Sequence, residues 1–321
     1  MRFLTRQIIC LMVLAAPAHA ETIRLSIQKT GTVAWELAII RAHELDKAAG
    51  LDIATMELAS PEAGKIALRA GSADIIVSDW LWVSRERTLG AKLVFYPYSS
   101  AVGAVMVAAA SPLKSLADLK GRSLAVAGGP IDKSWLMLQG AMKQDGIDLK
   151  TQARVNYGAP ALLAEKTLQG EFDANLNYWN FSAALEAKGM RRLAGIEDIL
   201  PRLGVNGRPA MIGYVFDEAW VAKNPGVLAR FLAVTRKAKE ILANQDTEWQ
   251  RIAPLIGAAD AATLTIYRER YREGIPRRAI ADEEADARTL YRVLAQLGGA
   301  ELVGPAADLA PGTFHRPQAE H

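Results

Sequence analysis

The stretch Ala70-Gly71-Ser72-Ala73-Asp74-Ile75-Ile76-Val77-Ser78 decides the fold. A short helix over 62–70 ends at the glycine, since glycine commonly terminates helices. The residues at 74–78 form a short, continuous apolar run, which is typical of a strand buried inside a parallel sheet. A helix that leads directly into such a strand predicts an α/β fold.

The same alternation extends in both directions. A strand over 22–27, a helix over 33–49 that Gly50 ends and a strand over 51–58 come before this stretch, and a strand over 93–97 follows it. A second run of alternating elements starts near residue 100. Its predicted strands are 102–109, 123–127, 154–157, 172–178 and 211–216, with helices at 115–118, 133–144 and 161–168. Four further helices follow at 225–243, 248–256, 261–273 and 283–297. The pattern predicts two mainly parallel sheets and a helical C-terminal wrap.

Composition fits two lobes of ordinary size. The chain has 321 residues, of which 50% are hydrophobic and 23% charged, and a single α/β core above roughly 250 residues is less usual than two. The formal net charge is +3, and no run of Lys or Arg gives the footprint of a nucleic-acid-binding protein.

The first twenty residues have the layout of a secretory signal peptide. Arg2 and Arg6 precede an apolar stretch over 8–16, and Ala18-His19-Ala20 supplies the small residues of a cleavage site. About nine apolar residues are too few to span a bilayer. We therefore predict cleavage after Ala20 and a periplasmic location. The chain's one cysteine, Cys10, lies in this segment, so the mature chain would lack disulfides, thiolate metal sites and Cys nucleophiles.

Candidate binding residues follow the ends of the predicted strands. In open α/β sheets, ligands bind beyond the carboxyl ends of the strands, near helix N-termini. Polar, glycine and aromatic residues recur there, which suits a small polar ligand held by hydrogen bonds between rings. The alternative is that they are ordinary turn residues and core aromatics. The candidates are Thr30, Gly31, Thr32, Trp35, Ser78, Asp79, Trp80, Ser100, Gly129, Asp132, Ser134, Tyr157, Asn177 and Trp179.

The loop Gly128-Gly129-Pro130 opens a predicted helix and has two interpretations. Free backbone N–H groups and the helix dipole would favour a bound oxyanion. Asp132 lies in the same loop, and its carboxylate would compete for these N–H groups as an N-cap.

Signatures of enzymes and metal sites are absent from the sequence. There is no GxSxG, GxxxxGK[ST] or GxGxxG motif. The mature histidines, His43, His315 and His321, are too scattered for a His-based metal site or triad. We expect no catalytic residue, no metal and no cofactor.

The ordered motifs resemble the periplasmic binding proteins of the nitrate/sulfonate/taurine ABC importers, which share a fold with the pyrimidine-precursor binding proteins. The matching segments are 70–76, 115–122, 170–179 and Lys223-Asn224-Pro225. The resemblance implies a two-lobed type II periplasmic binding protein fold, with a mainly parallel sheet in each lobe and a ligand cleft between them. It implies lobe 1 over 21–102 and 213–321, lobe 2 over 103–212, and crossovers near 99–103 and 208–214.

The resemblance also implies the function. A monomeric receptor would capture a small organic or oxyanion ligand by hinge closure and deliver it to an inner-membrane permease. The family's ligand loops correspond to Thr30–Thr32, Ser78–Trp80, Gly129–Ser134 and Trp179. Sulfonate and taurine receptors usually have an acid and a proline after this tryptophan, whereas Asn180 and Phe181 stand here. Four tryptophans would form a clamp for a flat or apolar-bodied ligand: Trp35, Trp80, Trp135 and Trp179.

Two other functions remain open, and a third lacks the residues that it needs. The chain could be an accessory or sensory binding protein that is not coupled to import, or it could bind a pyrimidine precursor. A synthase on the same fold needs a cysteine-rich motif, which the mature chain lacks.

Overall fold

The computed structural model describes residues 20–28 and 31–317, which form two five-stranded sheets covered by helices. The strands of the first sheet are β1 (Glu21–Gln28), β2 (Leu51–Leu58), β3 (Ile75–Asp79), β4 (Leu93–Ser99) and β10 (Ile212–Asp217). Their order in space is β2-β1-β3-β10-β4. β1 pairs in parallel with β2 and β3, whereas β10 is antiparallel to β3 and β4.

The second sheet repeats this arrangement. Its strands are β5 (Gly103–Val107), β6 (Ser123–Ala127), β7 (Arg154–Gly158), β8 (Ala174–Tyr178) and β9 (Arg191–Gly195), in the order β7-β6-β8-β5-β9. β6 pairs in parallel with β7 and β8, and β5 is antiparallel to β8 and β9. Each sheet therefore has four parallel strands and one antiparallel strand, which confirms the predicted two-lobed α/β fold with mainly parallel sheets.

The antiparallel strand of each sheet is the first strand that the chain forms after crossing from the other sheet. The chain leaves the first sheet at the end of β4, enters the second in β5, and returns in β10. We call the part built on the first sheet lobe 1 and the part built on the second lobe 2. The lobe boundaries at residues 102 and 212 stay predictions.

Fourteen α-helices lie in the described part of the chain. Those before the return to lobe 1 are α1 (Val33–Ala42), α2 (Leu45–Ala48), α3 (Pro61–Arg69), α4 (Trp80–Thr88), α5 (Lys133–Lys143), α6 (Leu149–Gln152), α7 (Pro160–Leu168), α8 (Trp179–Ala187) and α9 (Ile196–Ile199). After it come α10 (Glu218–Lys223), α11 (Pro225–Asn244), α12 (Asp246–Ile256), α13 (Ala261–Glu273) and α14 (Ile280–Val303). Leu116–Leu119 and Leu200–Leu203 are short 3-10 turns.

The stretch from residue 70 to residue 78 adopts the predicted structure. The side chain of Ser60 caps α3 by accepting a hydrogen bond from the Ala63 N–H at 3.2 Å. Gly71 follows the helix with φ of +69°, a left-handed conformation that glycine adopts without strain. Ile75 and Ile76 in β3 are fully buried. β3 therefore lies at the centre of the first sheet, as its apolar run predicts.

Besides short helical turns such as α6 and α9, several elements differ from the sequence prediction. The helix predicted over 33–49 is broken at Glu44, whose φ is +49°. α4, α8 and β9 were not predicted. Six of the nine residues of α4 are buried, so the sequence shows no amphipathic stripe there. β9 begins with Arg191 and Arg192, which hide the hydrophobic pattern of a strand.

The C-terminal helices connect the two lobes. α13 packs against α8 of lobe 2, and α14 packs against both α4 of lobe 1 and α5 of lobe 2. One hydrophobic cluster consequently includes Trp80 from lobe 1, Leu136 from lobe 2 and Leu290 from α14. The chain then returns to β4, where the Phe95 N–H donates to the Thr313 carbonyl at 2.8 Å. The wrap therefore restrains both lobes.

The acidic segment near residue 283 is partly buried, whereas the first turn of an exposed helix would be solvated. Glu283 is fully buried, and its Oε2 accepts a hydrogen bond from the Ala210 N–H at 2.7 Å. This side chain therefore attaches α14 to the segment that leads back into lobe 1.

The predicted signal peptide lies outside the described residues, apart from Ala20. Within residues 20–28 and 31–317, no helix is long and apolar enough to cross a membrane. The same residues contain no group of His, Cys, Asp and Glu side chains that could hold a metal ion.

Candidate functional site

A cleft of about 530 Å³ lies between the lobes. Its lobe 1 wall comes from α3 and the start of α4, and its lobe 2 wall comes from the loop before α5 and from Tyr178 at the end of β8. The last turn of α14 supplies Glu301 and Leu302. The cleft thus lies beyond the carboxyl ends of β3, β6 and β8, where ligands bind in α/β sheets.

An ion pair joins the two lobes at this cleft. Asp79 ends β3, and its Oδ1 caps α4 by accepting a hydrogen bond from the Trp82 N–H at 2.9 Å. Its Oδ2 lies 2.9 Å from Nζ of Lys133, the first residue of α5. Asp79 is buried, while about a third of the Lys133 side chain is exposed. The pair therefore links the start of a lobe 1 helix to the start of a lobe 2 helix.

The two charges stabilise each other. Burial is the largest single effect on the Asp79 carboxyl and raises its pKa. The Lys133 charge, the hydrogen bonds from Lys133 and the Trp82 N–H, and the Lys65 charge together outweigh burial and lower this pKa. Burial likewise lowers the pKa of the Lys133 ammonium, yet Asp79, together with the charges of Asp132 and Glu62, brings this pKa above the usual value. Both groups therefore remain ionised at neutral pH.

A second carboxylate lies beside this pair. Asp132 caps α5, because its Oδ1 accepts hydrogen bonds from the N–H groups of Ser134 at 2.9 Å and Trp135 at 3.3 Å. The Tyr178 hydroxyl donates to its Oδ2 at 3.2 Å. Burial raises the pKa of Asp132, and burial together with the Asp132 charge raises the pKa of Tyr178. The first amides of α5 are therefore occupied by Asp132, which favours the N-cap interpretation of this loop over the oxyanion cradle.

Gly128 makes this arrangement sterically possible. Its φ is +87°, and a Cβ atom there would lie 2.9 Å from the Tyr178 hydroxyl and 3.2 Å from Asp132 Oδ2. At the next position, Gly129 has open space where its Cβ would be. Only the first of the two glycines is therefore required by local geometry.

The four predicted clamp tryptophans occupy two different environments. Trp80 and Trp135 are buried in the hydrophobic core and do not line the cleft. Trp35 of lobe 1 and Trp179 of lobe 2 meet edge to face, with ring centroids 5.6 Å apart. The tryptophan that lines the cleft is Trp82, which the sequence interpretation missed. Lys65 Nζ lies 5.3 Å from the centroid of this ring.

The other predicted site residues fall into three groups. Asp79, Gly129 and Asp132 line the cleft. Ser100 and Trp179 border a separate cavity of about 20 Å³, which has room for about one water molecule. The remaining residues lie elsewhere. Gly31 lies in a turn, and the Thr32 hydroxyl lies 3.2 Å from the Tyr98 hydroxyl. Ser78, Ser134 and Asn177 are buried in their lobes, and the Tyr157 ring packs against Trp135. Thr30 lies outside the described residues.

Sequence reasoning missed several cleft residues because they do not follow a strand. Glu62, Lys65 and Ile66 project from α3, and Leu302 comes from the C-terminal helix. The 3.6-residue spacing of charges along α3 was the one available signal, since Glu62, Lys65 and Arg69 share a face. For Leu302 the sequence contains no such signal.

Comparison with known proteins agrees with this architecture. The profile of the NMT1/THI5 like family matches residues 41–248. A protein of Escherichia coli (strain K12) named putative aliphatic sulfonates-binding protein is 30% identical over 236 residues, which cover 70% of each chain. The crystal structure of the periplasmic aliphatic sulphonate binding protein SsuA from Escherichia coli has a TM-score of 0.74, at 22% identity and 94% coverage of both chains.

The fold also occurs in an enzyme. The crystal structure of the desulfurization enzyme DSZB has a TM-score of 0.58 at 14% identity, and the match covers 86% of this chain and 92% of that one. Fold by itself therefore does not separate a receptor from a catalyst. The family match rests on sequence over more than half of the chain. The resemblance to periplasmic solute-binding receptors of ABC importers is thereby confirmed, and the chain belongs to the NMT1/THI5-like family.

Proposed function

We propose that the chain captures a small organic anion with an apolar body, of the aliphatic sulfonate class, in the cleft between its lobes. The observation that carries this proposal is the ion pair of Asp79 and Lys133 inside a cleft of about 530 Å³. It places a cationic donor of one lobe against the other lobe, at the position where a ligand must contact both.

Two lysines from opposite lobes supply donors for the ligand's anionic group. Lys133 uses one carboxylate partner at 2.9 Å, and Lys65 of α3 lies 3.6 Å from Glu62. An ammonium group has three N–H donors, so each lysine keeps donors for a ligand oxygen. An anion bound by both would favour the closed arrangement of the lobes, because it contacts both only in that state.

The size and lining of the cleft favour an organic body over a bare oxyanion. Pockets of about 300–1,000 Å³ typically hold small organic ligands. Nitrate would fill a small part of a 530 Å³ cleft and leave apolar side chains in contact with water. Trp82, Ile131 and Leu302 provide an apolar wall that matches a hydrocarbon chain, and the exposed Ile66 lies at the rim of the cleft.

We assign the cleft to binding rather than catalysis. The described residues that line it include no His or Cys, and its buried carboxylates, Asp79 and Asp132, are engaged in helix capping, ion pairing and a hydrogen bond from Tyr178. The receptor would be a monomer in the periplasm, after cleavage behind Ala20, with no nucleic-acid or cofactor partner.

Exposed apolar residues support docking to a permease. Ile66 on α3 is 66% exposed and Leu162 on α7 is 54% exposed. α3 follows β2 at one edge of the first sheet, and α7 follows β7 at the corresponding edge of the second. Exposed apolar residues at corresponding positions on the two lobes suit a membrane partner with two equivalent subunits.

A thermal-shift panel tests the proposed ligand class. The protein from Glu21 onward is screened against alkanesulfonates, taurine, nitrate and pyrimidines, after unfolding and refolding to remove carried-over ligand. We expect a saturable rise in melting temperature with alkanesulfonates, since a ligand at a hundredfold excess over its Kd stabilises by about 2.7 kcal/mol. A shift with pyrimidines alone would instead support a pyrimidine-precursor receptor, and no shift with any compound would contradict the proposed ligand class.

A further inference from the structure

The last turn of α14 reaches the cleft because the helix is kinked. Gly299 has φ of +61° and ψ of −163°, a backbone conformation that is essentially restricted to glycine. Before the kink, α14 follows α5 closely, since a Cβ on Gly140 would lie 2.8 Å from Leu297. After it, residues 301–304 lie against α4, where the Arg85 Nη1 donates to the Glu301 carbonyl at 3.5 Å.

The chain beyond the kink is fixed to lobe 1. The Ala310 N–H donates to the Ser84 hydroxyl oxygen at 2.9 Å, and the His315 N–H donates to the Phe95 carbonyl at 2.8 Å. The Tyr291 hydroxyl donates to the Ala306 carbonyl at 3.2 Å. The turn at residues 301–303 is therefore held from both sides, and it presents Leu302 to the cleft as a rigid surface.

Leu302 completes the apolar side of the cleft. It is mostly buried and lines the cleft together with Trp82 of lobe 1 and Ile131 of lobe 2. The charged groups Asp79, Asp132 and Lys133 lie in the same cleft on the segments that precede or begin α4 and α5. Lys133, Leu302 and Ile131 thus line one cleft, so a ligand whose anionic group meets Lys133 can place its hydrocarbon body against Leu302 and Ile131.

We propose that Leu302 and Ile131 form the wall that limits the length of the ligand's hydrocarbon body, so that the C-terminal helix sets specificity. This inference rests on the proposed function. Each methylene that leaves water contributes about a fourfold gain in affinity. Affinity should accordingly rise with chain length until the body meets this wall, and then fall because the next methylene overpacks it.

Straight-chain alkanesulfonates of increasing length, measured by isothermal titration calorimetry, test the inference. Leu302→Ala should shift the best-bound alkanesulfonate to a longer chain. The variant should bind that longer chain at least fourfold more tightly than the wild type binds its own best chain. Leu302→Trp should move the optimum to a shorter chain. Ile131→Ala provides the same test at a partly exposed loop position, where the substitution disturbs the core less.

Leu309→Ala is the matched control. Leu309 is a buried leucine of the same C-terminal region that does not line the cleft, so its variant should lose stability and keep the wild-type length profile. The inference is overturned if the Leu302 and Ile131 variants keep that profile or weaken all lengths equally. Failure of the wild-type protein to bind any chain length would instead overturn the proposed function.

Discussion

At the scale of single residues, each of two carboxylates in the cleft caps a helix and also bonds a second side chain. Asp79 uses one oxygen to cap α4 and the other to hold Lys133, and Asp132 similarly caps α5 and accepts from Tyr178. Each carboxylate thus fixes a helix start and a cleft side chain at once. The geometry of the cleft is consequently sensitive to the loop that carries Asp132.

Gly128→Ala should destabilise the protein and weaken ligand binding. The left-handed φ costs an alanine about 1–2 kcal/mol, and the new methyl group displaces the Tyr178 hydroxyl from Asp132. The measurement is thermal unfolding together with calorimetric titration. Gly129→Ala is the neighbouring control, and its space is open. Equal unfolding temperatures for the two variants would contradict the steric argument.

At the scale of elements, a buried polar cluster joins α1 to the C-terminal helices. Glu36 of α1 pairs with Lys239 of α11, and the Tyr271 hydroxyl of α13 donates a hydrogen bond to Glu36 Oε1 at 2.5 Å. The neighbouring Trp35 packs on the ring of Tyr271 as well as on Trp179 of lobe 2. α13 therefore fixes the orientation of α1 at the junction of the lobes.

Tyr271→Phe should lower the free energy of unfolding by about 1–3 kcal/mol. The change keeps the ring and removes one hydrogen bond to a buried carboxylate, which is left less well satisfied. Urea unfolding measures this loss. Tyr267→Phe on the same helix is the control, because the Tyr267 ring also contacts Trp35, whereas the hydroxyls that hydrogen-bond Glu36 belong to Tyr214 and Tyr271. A similar loss in both variants would show that the hydroxyl of Tyr271 has no special role.

Elements with a clear hydrophobic pattern were predictable from the sequence, and others were not. The apolar run of β3 and the helix boundaries of α13 were predicted because local pattern and burial agree there. α4 follows β3 without a turn and is buried on most sides, so its pattern looked like neither a strand nor an amphipathic helix. Missing α4 is why Trp80 was expected in the cleft, although Trp82 occupies that position.

At the scale of the whole molecule, two similar sheets are coupled by more than their crossovers. Asp79 to Lys133, Trp35 to Trp179 and α14 each bridge the lobes. The rule that ligands bind at strand ends located the cleft through Asp79, Gly129 and Asp132. It could not predict a wall from α14, because residue 302 reaches the same cleft as residue 131 only through tertiary packing.

The proposed contact between the ligand's anionic group and Lys133 can be measured by calorimetric titration of one alkanesulfonate. Lys133→Met should weaken binding about tenfold to a hundredfold, the value of a hydrogen bond to a charged group. Lys143→Met, at the exposed far end of the same helix, should bind like the wild type. Equal affinity of the Lys133 variant and the wild type would mean that Lys133 does not hold the ligand's anionic group.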